Sequence, residues 1–378
     1  MIDRPVRILQ VLPKLDTGGA ERVVVEISDA ITSAGHHSII ACENGALTQA
    51  ARRSGAEIVT LPLNTKSPFA MLRNAKRLAH VIEAEKIDIV HAHSRAPAWS
   101  AYSATQRTKT PFVTTYHGSY SETVLFKRRY NAIMAAGDRV IAVSNFISEL
   151  VKNRHAVDDR RLRVIPGGVD TVKFNPAAVL GDRMAKLARE WRLPAGAPTI
   201  MLPGRLTSWK GQGLLITALA ALRHQDAVAI LVGGDQGRSK YTQSLIAQAE
   251  SLGVAERLRL VGHSEDMPAA MMLADIVVNA SIDPEAFGRT IVEAQAMGRI
   301  VIAADHGGAR ETVIDGLTGF LFTPGDYAML AHKIDQAIDF NADQRIAWGQ
   351  RARATVEENY SVVAMQNAVL GVYAELLD

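Results

Sequence analysis

The sequence predicts an α/β protein made of two doubly wound units, each a parallel sheet covered by helices on both faces. Three observations predict it. Short Val/Ile-rich runs alternate with helix-spaced segments over most of the chain, the pattern of a parallel sheet buried on both sides. The alternation breaks near Gly167-Gly168 and Asn175-Pro176 and then resumes. The length of 378 residues exceeds one ordinary core, so two domains are expected.

In the first half, strands are expected at Arg7–Leu12, Ser38–Cys42, Glu57–Leu61, Ile87–His91, Phe112–Tyr116, Arg139–Val143 and Leu162–Ile165. Helical spacing appears between several of them, as in Ala20–Ala34 and Met71–Glu83. Residues 177–196 read as a polar helix ending at Pro194-Ala195-Gly196. A second series follows at Thr199–Leu202, Val228–Val232, Leu258–Val261, Ile276–Asn279, Ile300–Ala303 and Gly319–Phe322. Two helical segments, Ala342–Glu358 and Val362–Leu377, close the chain. Two such units joined by a short linker are expected to face an interdomain cleft, with strand C-termini pointing into it.

Composition excludes several classes. A hydrophobic share of 48% with 21% charged residues fits a globular protein. Cys42 is the single cysteine, so no disulfide forms within the chain, and a reducing cytoplasm is expected. At the end of an apolar run it reads as a small core residue rather than a nucleophile. The run Ile8–Leu12 is too short for a signal peptide, and nothing approaches a membrane span. Basic and aromatic residues do not interleave as nucleic-acid binding requires. The net charge of +3 hides an asymmetry. Residues 1–178 carry 24 Lys+Arg against 16 Asp+Glu, and residues 179–378 carry 18 against 23.

The richest segment is Asp283-Pro284-Glu285-Ala286-Phe287-Gly288-Arg289-Thr290-Ile291-Val292-Glu293. It leaves a strand's C-terminal end, where open α/β sheets bind ligands. A helix starting near Gly288 would offer its first amides to a phosphate. Glu293 then lies roughly 7–8 Å further along the helix axis. Glu285 could meet hydroxyls at one end of a ligand, the amides a diphosphate, and Glu293 a diol, which is the layout of a sugar nucleotide. Gly204-Arg205-Leu206-Thr207-Ser208-Trp209-Lys210 follows the first strand of the second half. Its Arg and Lys suit a diphosphate, one as a planar fork and one as a mobile point charge.

Thr17-Gly18-Gly19-Ala20-Glu21 links the first strand to the first helix, but it is not the Gly-x-Gly-x-x-Gly of dinucleotide binding. His117 ends a strand in Tyr116-His117-Gly118, and His91 and His93 end another. These two histidines lack an evident third metal ligand, so a core and cleft role is expected. Gly233-Gly234-Asp235 and Gly307-Gly308 follow further strands, and their backbone is expected to face the ligand. No Asp-x-Asp pair for a metal–diphosphate is present.

In order, Gly18-Gly19, His117-Gly118, Ser144-Asn145, Gly204-Arg205 with Lys210, and Glu285 followed by Glu293 resemble the family 4 retaining glycosyltransferases of GT-B fold. The resemblance covers nearly the whole chain. It implies an acceptor-side Rossmann-like domain over residues 1–170 with 362–378 and a donor-binding one over 171–361. It also implies that Arg205 and Lys210 bind the donor diphosphate, Glu293 the ribose, and Glu285 with the amides around Phe287, Gly288 and Arg289 the sugar and phosphate. His117 would contact the donor sugar, and Gly18 and Gly19 would line the site. The implied catalytic set is His117, Glu285, Arg205 and Lys210, with no metal and no cofactor beyond the nucleoside diphosphate sugar co-substrate. The implied mechanism is front-face attack, in which the leaving phosphate helps take the acceptor proton.

One departure is Pro166-Gly167-Gly168-Val169-Asp170, where the family often has Asn after the proline. The expected acceptor is a glycan or lipid-linked hydroxyl in lipopolysaccharide or other envelope synthesis. Arg73, Lys76 and Arg77 on one helix, and Lys127-Arg128-Arg129 beside Phe126 and Tyr130 on another, make an anionic membrane surface a candidate partner. The expected location is cytoplasmic, peripheral at the inner face of the cytoplasmic membrane. The rival readings are a sugar-nucleotide epimerase of the same fold and a non-catalytic sugar-nucleotide binder.

Overall fold

The computed structural model describes residues 4–120, 122 and 125–377. The chain divides into two compact units, residues 1–168 with 362–378 and residues 169–361. The first stretch thus ends at Gly168 rather than at the expected residue 170.

The first unit runs β1 (Arg7–Lys14), α1 (Gly19–Ser33), β2 (His37–Glu43), α2 (Thr48–Arg53), β3 (Glu57–Thr60), α3 (Pro68–Ala84), β4 (Ile89–Ala92), α4 (Arg95–Thr108), β5 (Phe112–Tyr116), α5 (Leu125–Asn131), β6 (Arg139–Ala142), α6 (Asn145–His155) and β7 (Leu162–Val164). The second runs α7 (Gly181–Glu190), β8 (Thr199–Pro203), α8 (Gln212–Ala221), β9 (Val228–Val232), α9 (Ser239–Ser251), β10 (Leu258–Gly262), α10 (Met267–Met272), β11 (Ile276–Asn279), α11 (Arg289–Ala296), β12 (Ile300–Ala304), α12 (Ala309–Thr312), β13 (Phe320–Phe322), α13 (Tyr327–Ile338) and α14 (Ala342–Asn359). The last helix, α15 (Val362–Leu377), returns to the first unit.

The strand orders are β3-β2-β1-β4-β5-β6-β7 and β10-β9-β8-β11-β12-β13, with parallel pairing throughout. Both are the doubly wound, Rossmann-like order. It reverses between β1 and β4 in one sheet and between β8 and β11 in the other, the points where such sheets bind ligands.

Burial follows from this layering. The inner strands β4, β5, β8, β9, β11 and β12 are buried at every residue, because helices cover both faces. The edge strands β3 and β10 are partly exposed and carry Glu57 and Arg259 among their apolar residues.

Some helices begin at a side chain that satisfies a first amide, α6 and α14 among them. Ser144 Oγ accepts from Ile147 N at 3.1 Å. Asn341 and Gln344 cap each other reciprocally ahead of α14. The helix expected over 177–196 is shorter, covering only Gly181–Glu190. Asn175 Oδ1 accepts from Ala177 N at 3.0 Å and closes a separate turn first. At the other end Arg192 takes a positive φ of 53°, and Pro194 cannot continue a helix.

Helix α15 buries Met365, Val369, Val372 and Tyr373 in a core with Val6, Ile8, Ile27 and Ile31. Glu375 bridges Arg139 at 2.7 Å and Arg163 at 2.6 Å, and these bonds hold its carboxyl down at about 2. Cys42 is fully buried, and burial pushes its thiol up to about 12, so it carries no thiolate at neutral pH. Among the described residues no helix is long and apolar enough to cross a membrane.

Candidate active site

In the second unit the site residues gather at the strand ends beside the order reversal. The turn after β8 carries Arg205 and Lys210, and the loop after β11 carries Glu285. Lys210 Nζ donates to Glu285 Oε1, with side-chain exposures of 15% and 13%. Ser281 Oγ donates to the same oxygen at 2.6 Å. Burial pushes the Glu285 carboxyl up, but Lys210, Ser281 and the Asn279 amide together outweigh it and hold it below its ordinary value. Lys210 Nζ also sits 4.4 Å from the centroid of the Trp209 ring.

Arg205 is exposed, and among the described residues no hydrogen bond or ion pair engages its guanidinium. Its carbonyl accepts from Gln212 Nε2 at 2.9 Å, which fixes the backbone beneath it. Helix α11 begins after Gly288, which holds a left-handed φ of 87°. Phe287 is buried edge-on against Tyr360 at 5.7 Å between centroids. Glu293 is 5% exposed and accepts from Arg289 Nε at 3.1 Å, one turn back on the same helix.

The glycines at the neighbouring strand ends are closely packed. A Cβ on Gly233 would lie 2.0 Å from Gly204 O. A Cβ on Gly307 would lie 2.4 Å from Glu285 O, and one on Gly308 2.6 Å from Phe287 Cα. These glycines therefore admit the close approach of the β8 turn and the Glu285 loop. Gly308 N donates to Glu285 O at 2.8 Å, and His306 Nε2 lies 2.8 Å from Ser281 O, which pins the loop from behind.

In the first unit, Gly18 precedes α1 in extended backbone, and a Cβ there would overlap the folded-back Glu21 carboxylate at 2.1 Å. A Cβ on Gly19 would meet nothing within 4 Å. Three histidines cluster at the ends of β4 and β5. His91 and His93 pack with their rings tilted and centroids 4.0 Å apart, and His93 Nδ1 lies 3.1 Å from His117 Nε2. His91 Nδ1 reaches Tyr373 OH and its Nε2 reaches Thr115 Oγ1, both at 2.7 Å. Burial lowers all three, His91 to about 3, His117 to about 4, and His93 well below its usual range, so the cluster is neutral at pH 7.

The structure thus joins Lys210 to Glu285, Arg289 to Glu293, and His117 to His93. Gly18, Gly19 and His117 belong to one unit and the other predicted site residues to the second. Sequence reasoning missed Ser281, Asn279 and Tyr373. A serine and an asparagine near a strand end carry no distinctive signal, and Tyr373 reaches His91 from 282 residues away.

A profile described as glycosyltransferase family 4 matches residues 17–173, and one described as glycosyl transferases group 1 matches residues 184–355. The D-inositol 3-phosphate glycosyltransferase of Salinispora arenicola is 32% identical over 320 residues, or 76% of this chain and 68% of that one. A glycosyltransferase crystal structure from Rickettsia africae superposes with a TM-score of 0.91 at 37% identity, covering 99% of each chain. Anabaena HepE, solved with UDP and glucose, gives 0.88 at 25% identity over 98% of this chain and 100% of that one. With these matches and two Rossmann-like units of GT-B type, the chain belongs to glycosyltransferase family 4.

Proposed function

We propose that this enzyme moves a hexose from a nucleoside diphosphate sugar to an acceptor hydroxyl, with retained anomeric configuration and without a metal ion. The observation that carries this reading is the Lys210–Glu285 pair at the β8/β11 reversal, with Arg205 leaving the same turn. An ammonium has three donors. One goes to Glu285, which leaves others for a phosphate oxygen. Glu285 is the counter-charge that holds a poorly solvated ammonium in place. Arg205 adds a second cation, and the start of α11 adds oriented amides. Together they neutralise the departing diphosphate without a metal, and they need no reorganisation at the moment of reaction. The HepE complex with UDP and glucose supports a nucleotide-linked hexose as donor.

The test is the product. With each of UDP-, GDP- and ADP-hexose and an extract of acceptors, proton NMR is expected to show the donor's anomeric configuration kept in the new glycoside, with equal rates in EDTA. An inverted product or chelator-sensitive turnover would refute this part. Conversion of donor alone to its epimer would instead identify the epimerase.

For the acceptor we infer an anionic or lipid-linked glycan of the cell envelope, met at the inner membrane face. Helix α4 ties the two basic segments together through Ser100 Oγ to Met71 O at 3.0 Å and Trp99 Nε1 to Tyr130 O at 3.2 Å. Phe69 and Phe126 are each 80% exposed, beside exposed Arg73, Lys76, Lys127 and Arg129. Apolar tips among cations suit an anionic interface. Salt-sensitive flotation with phosphatidylglycerol vesicles is expected, weakened in a Phe69→Ser/Phe126→Ser variant; absence of binding at low salt refutes the membrane part.

A further inference from the structure

His93 Nε2 is buried without a hydrogen-bond partner, in a side chain whose other nitrogen meets His117. We propose that His93 is a positioning residue that donates from Nδ1 to His117 Nε2 and so fixes His117 as the tautomer presenting Nδ1–H to the donor sugar.

Hydrogen-bond bookkeeping selects this direction. A neutral imidazole has one donor and one acceptor nitrogen. If His117 Nε2 donated, His93 would carry its own proton on the unpartnered Nε2, leaving a buried N–H orphaned. With the proton on His93 Nδ1, the orphan is only a lone pair. Orphaned buried donors are the rarer and costlier case. The lowering of both rings by burial, His117 to about 4, supports neutral imidazoles on both sides.

His93 cannot easily turn away. Its ring packs at a tilt against His91, 4.0 Å between centroids, and His91 is held from both nitrogens by Tyr373 and Thr115. Helix α15 therefore braces the site from behind through Tyr373. His117 is the partly exposed member of the cluster, and its Nε2 is already taken. Only Nδ1 is left to meet a ligand hydroxyl, and it meets it as a donor.

This proposal rests on the reading of His117 as the donor-sugar contact, and its test separates the two. The full-length enzyme is labelled with 15N-histidine, and imidazole tautomers are read by long-range proton–nitrogen correlation. Transfer kinetics are measured on the same samples. In the wild type, His117 is expected as the Nδ1–H tautomer. In His93→Leu that preference is lost and kcat falls about 10–100-fold, as for other residues that orient a reacting group, with KM for the donor little changed.

An asparagine amide nitrogen lies near the place of histidine Nδ1, whereas glutamine reaches the place of Nε2. His93→Asn is therefore expected to restore both tautomer and kcat better than His93→Gln. A wild-type Nε2–H tautomer of His117, or an unchanged tautomer and kcat in His93→Leu, overturns the proposal. If His93→Leu does not fold, Asn no better than Gln overturns it. If no donor supports transfer, the tautomer still decides the pairing, while the sugar-contact reading fails separately.

Discussion

Lys210→Ala is expected to lower kcat by about 10²–10³, the loss of one preorganised electrostatic contact to developing charge. The same substitution strips Glu285 of its counter-ion at a site where both side chains are largely buried. Breaking such a pair from one side costs about 3–5 kcal/mol of stability, because a charge is left uncompensated. Two effects follow from one residue, and they can be separated. Lys210→Met combined with Glu285→Gln removes both charges, so it is expected to recover most of the stability and none of the turnover. Denaturant midpoints and kcat on the three proteins decide. Full turnover in Lys210→Ala would show that Lys210 does not meet the leaving diphosphate.

Native stability is expected to fall steeply as pH drops from about 6.5 to about 4.5. The histidine cluster gives the sign. His91 is lowered to about 3 and His117 to about 4, with His93 also well down. The unfolded imidazoles titrate near 6.5. Below that pH the unfolded chain binds protons that the native state refuses, so the equilibrium shifts toward unfolding as pH falls. Each histidine contributes about 1.4 kcal/mol per pH unit through the window between its two values. His91 and His117 together give a slope of about 3 kcal/mol per unit, and His93 adds in the same direction. His36 and His155 are lowered as well and add in the same direction. Carboxylates held low, such as Glu285 and Glu375, act with the same sign but only below about pH 4.5, where unfolded glutamates protonate. His91→Gln is expected to flatten the slope above pH 4.5 by about 1.4 kcal/mol per unit. A flat profile from pH 7 to 5 in the wild type would contradict the neutral, buried cluster.

The sheets were legible in the sequence because burial on both faces demands unbroken apolar runs. Val228–Val232, Ile276–Asn279 and Phe112–Tyr116 match their strands end to end. Turn chemistry was less legible. The polar helix over 177–196 loses its first turn to the Asn175 side chain, which competes locally with the backbone. The charged members of the site stood out because two carboxylates and two cations at strand ends are unusual. What held them did not, since Ser281, Asn279 and His306 act through contacts made only after folding. The packing role of the glycines was hidden for a related reason. A missing Cβ admits whatever comes close, and at Gly233, Gly307 and Gly308 that is the protein's own backbone. Tyr373 lies far along the chain from His91, and no local pattern announces such a pairing.

The most direct measurement is calorimetric binding of the nucleoside diphosphate that most raises the melting temperature, to wild type, Arg205→Ala and His117→Ala. Arg205 is exposed and braces nothing by its side chain, so its removal leaves the melting temperature in place. If the second unit clamps a diphosphate between Arg205, Lys210 and the start of α11, Arg205→Ala weakens binding about tenfold or more, the loss of a charge-assisted contact. His117→Ala, removed from the other unit, leaves that affinity within about threefold, a difference below 1 kcal/mol. Equal affinity for wild type and Arg205→Ala, or a loss confined to His117→Ala, would contradict it.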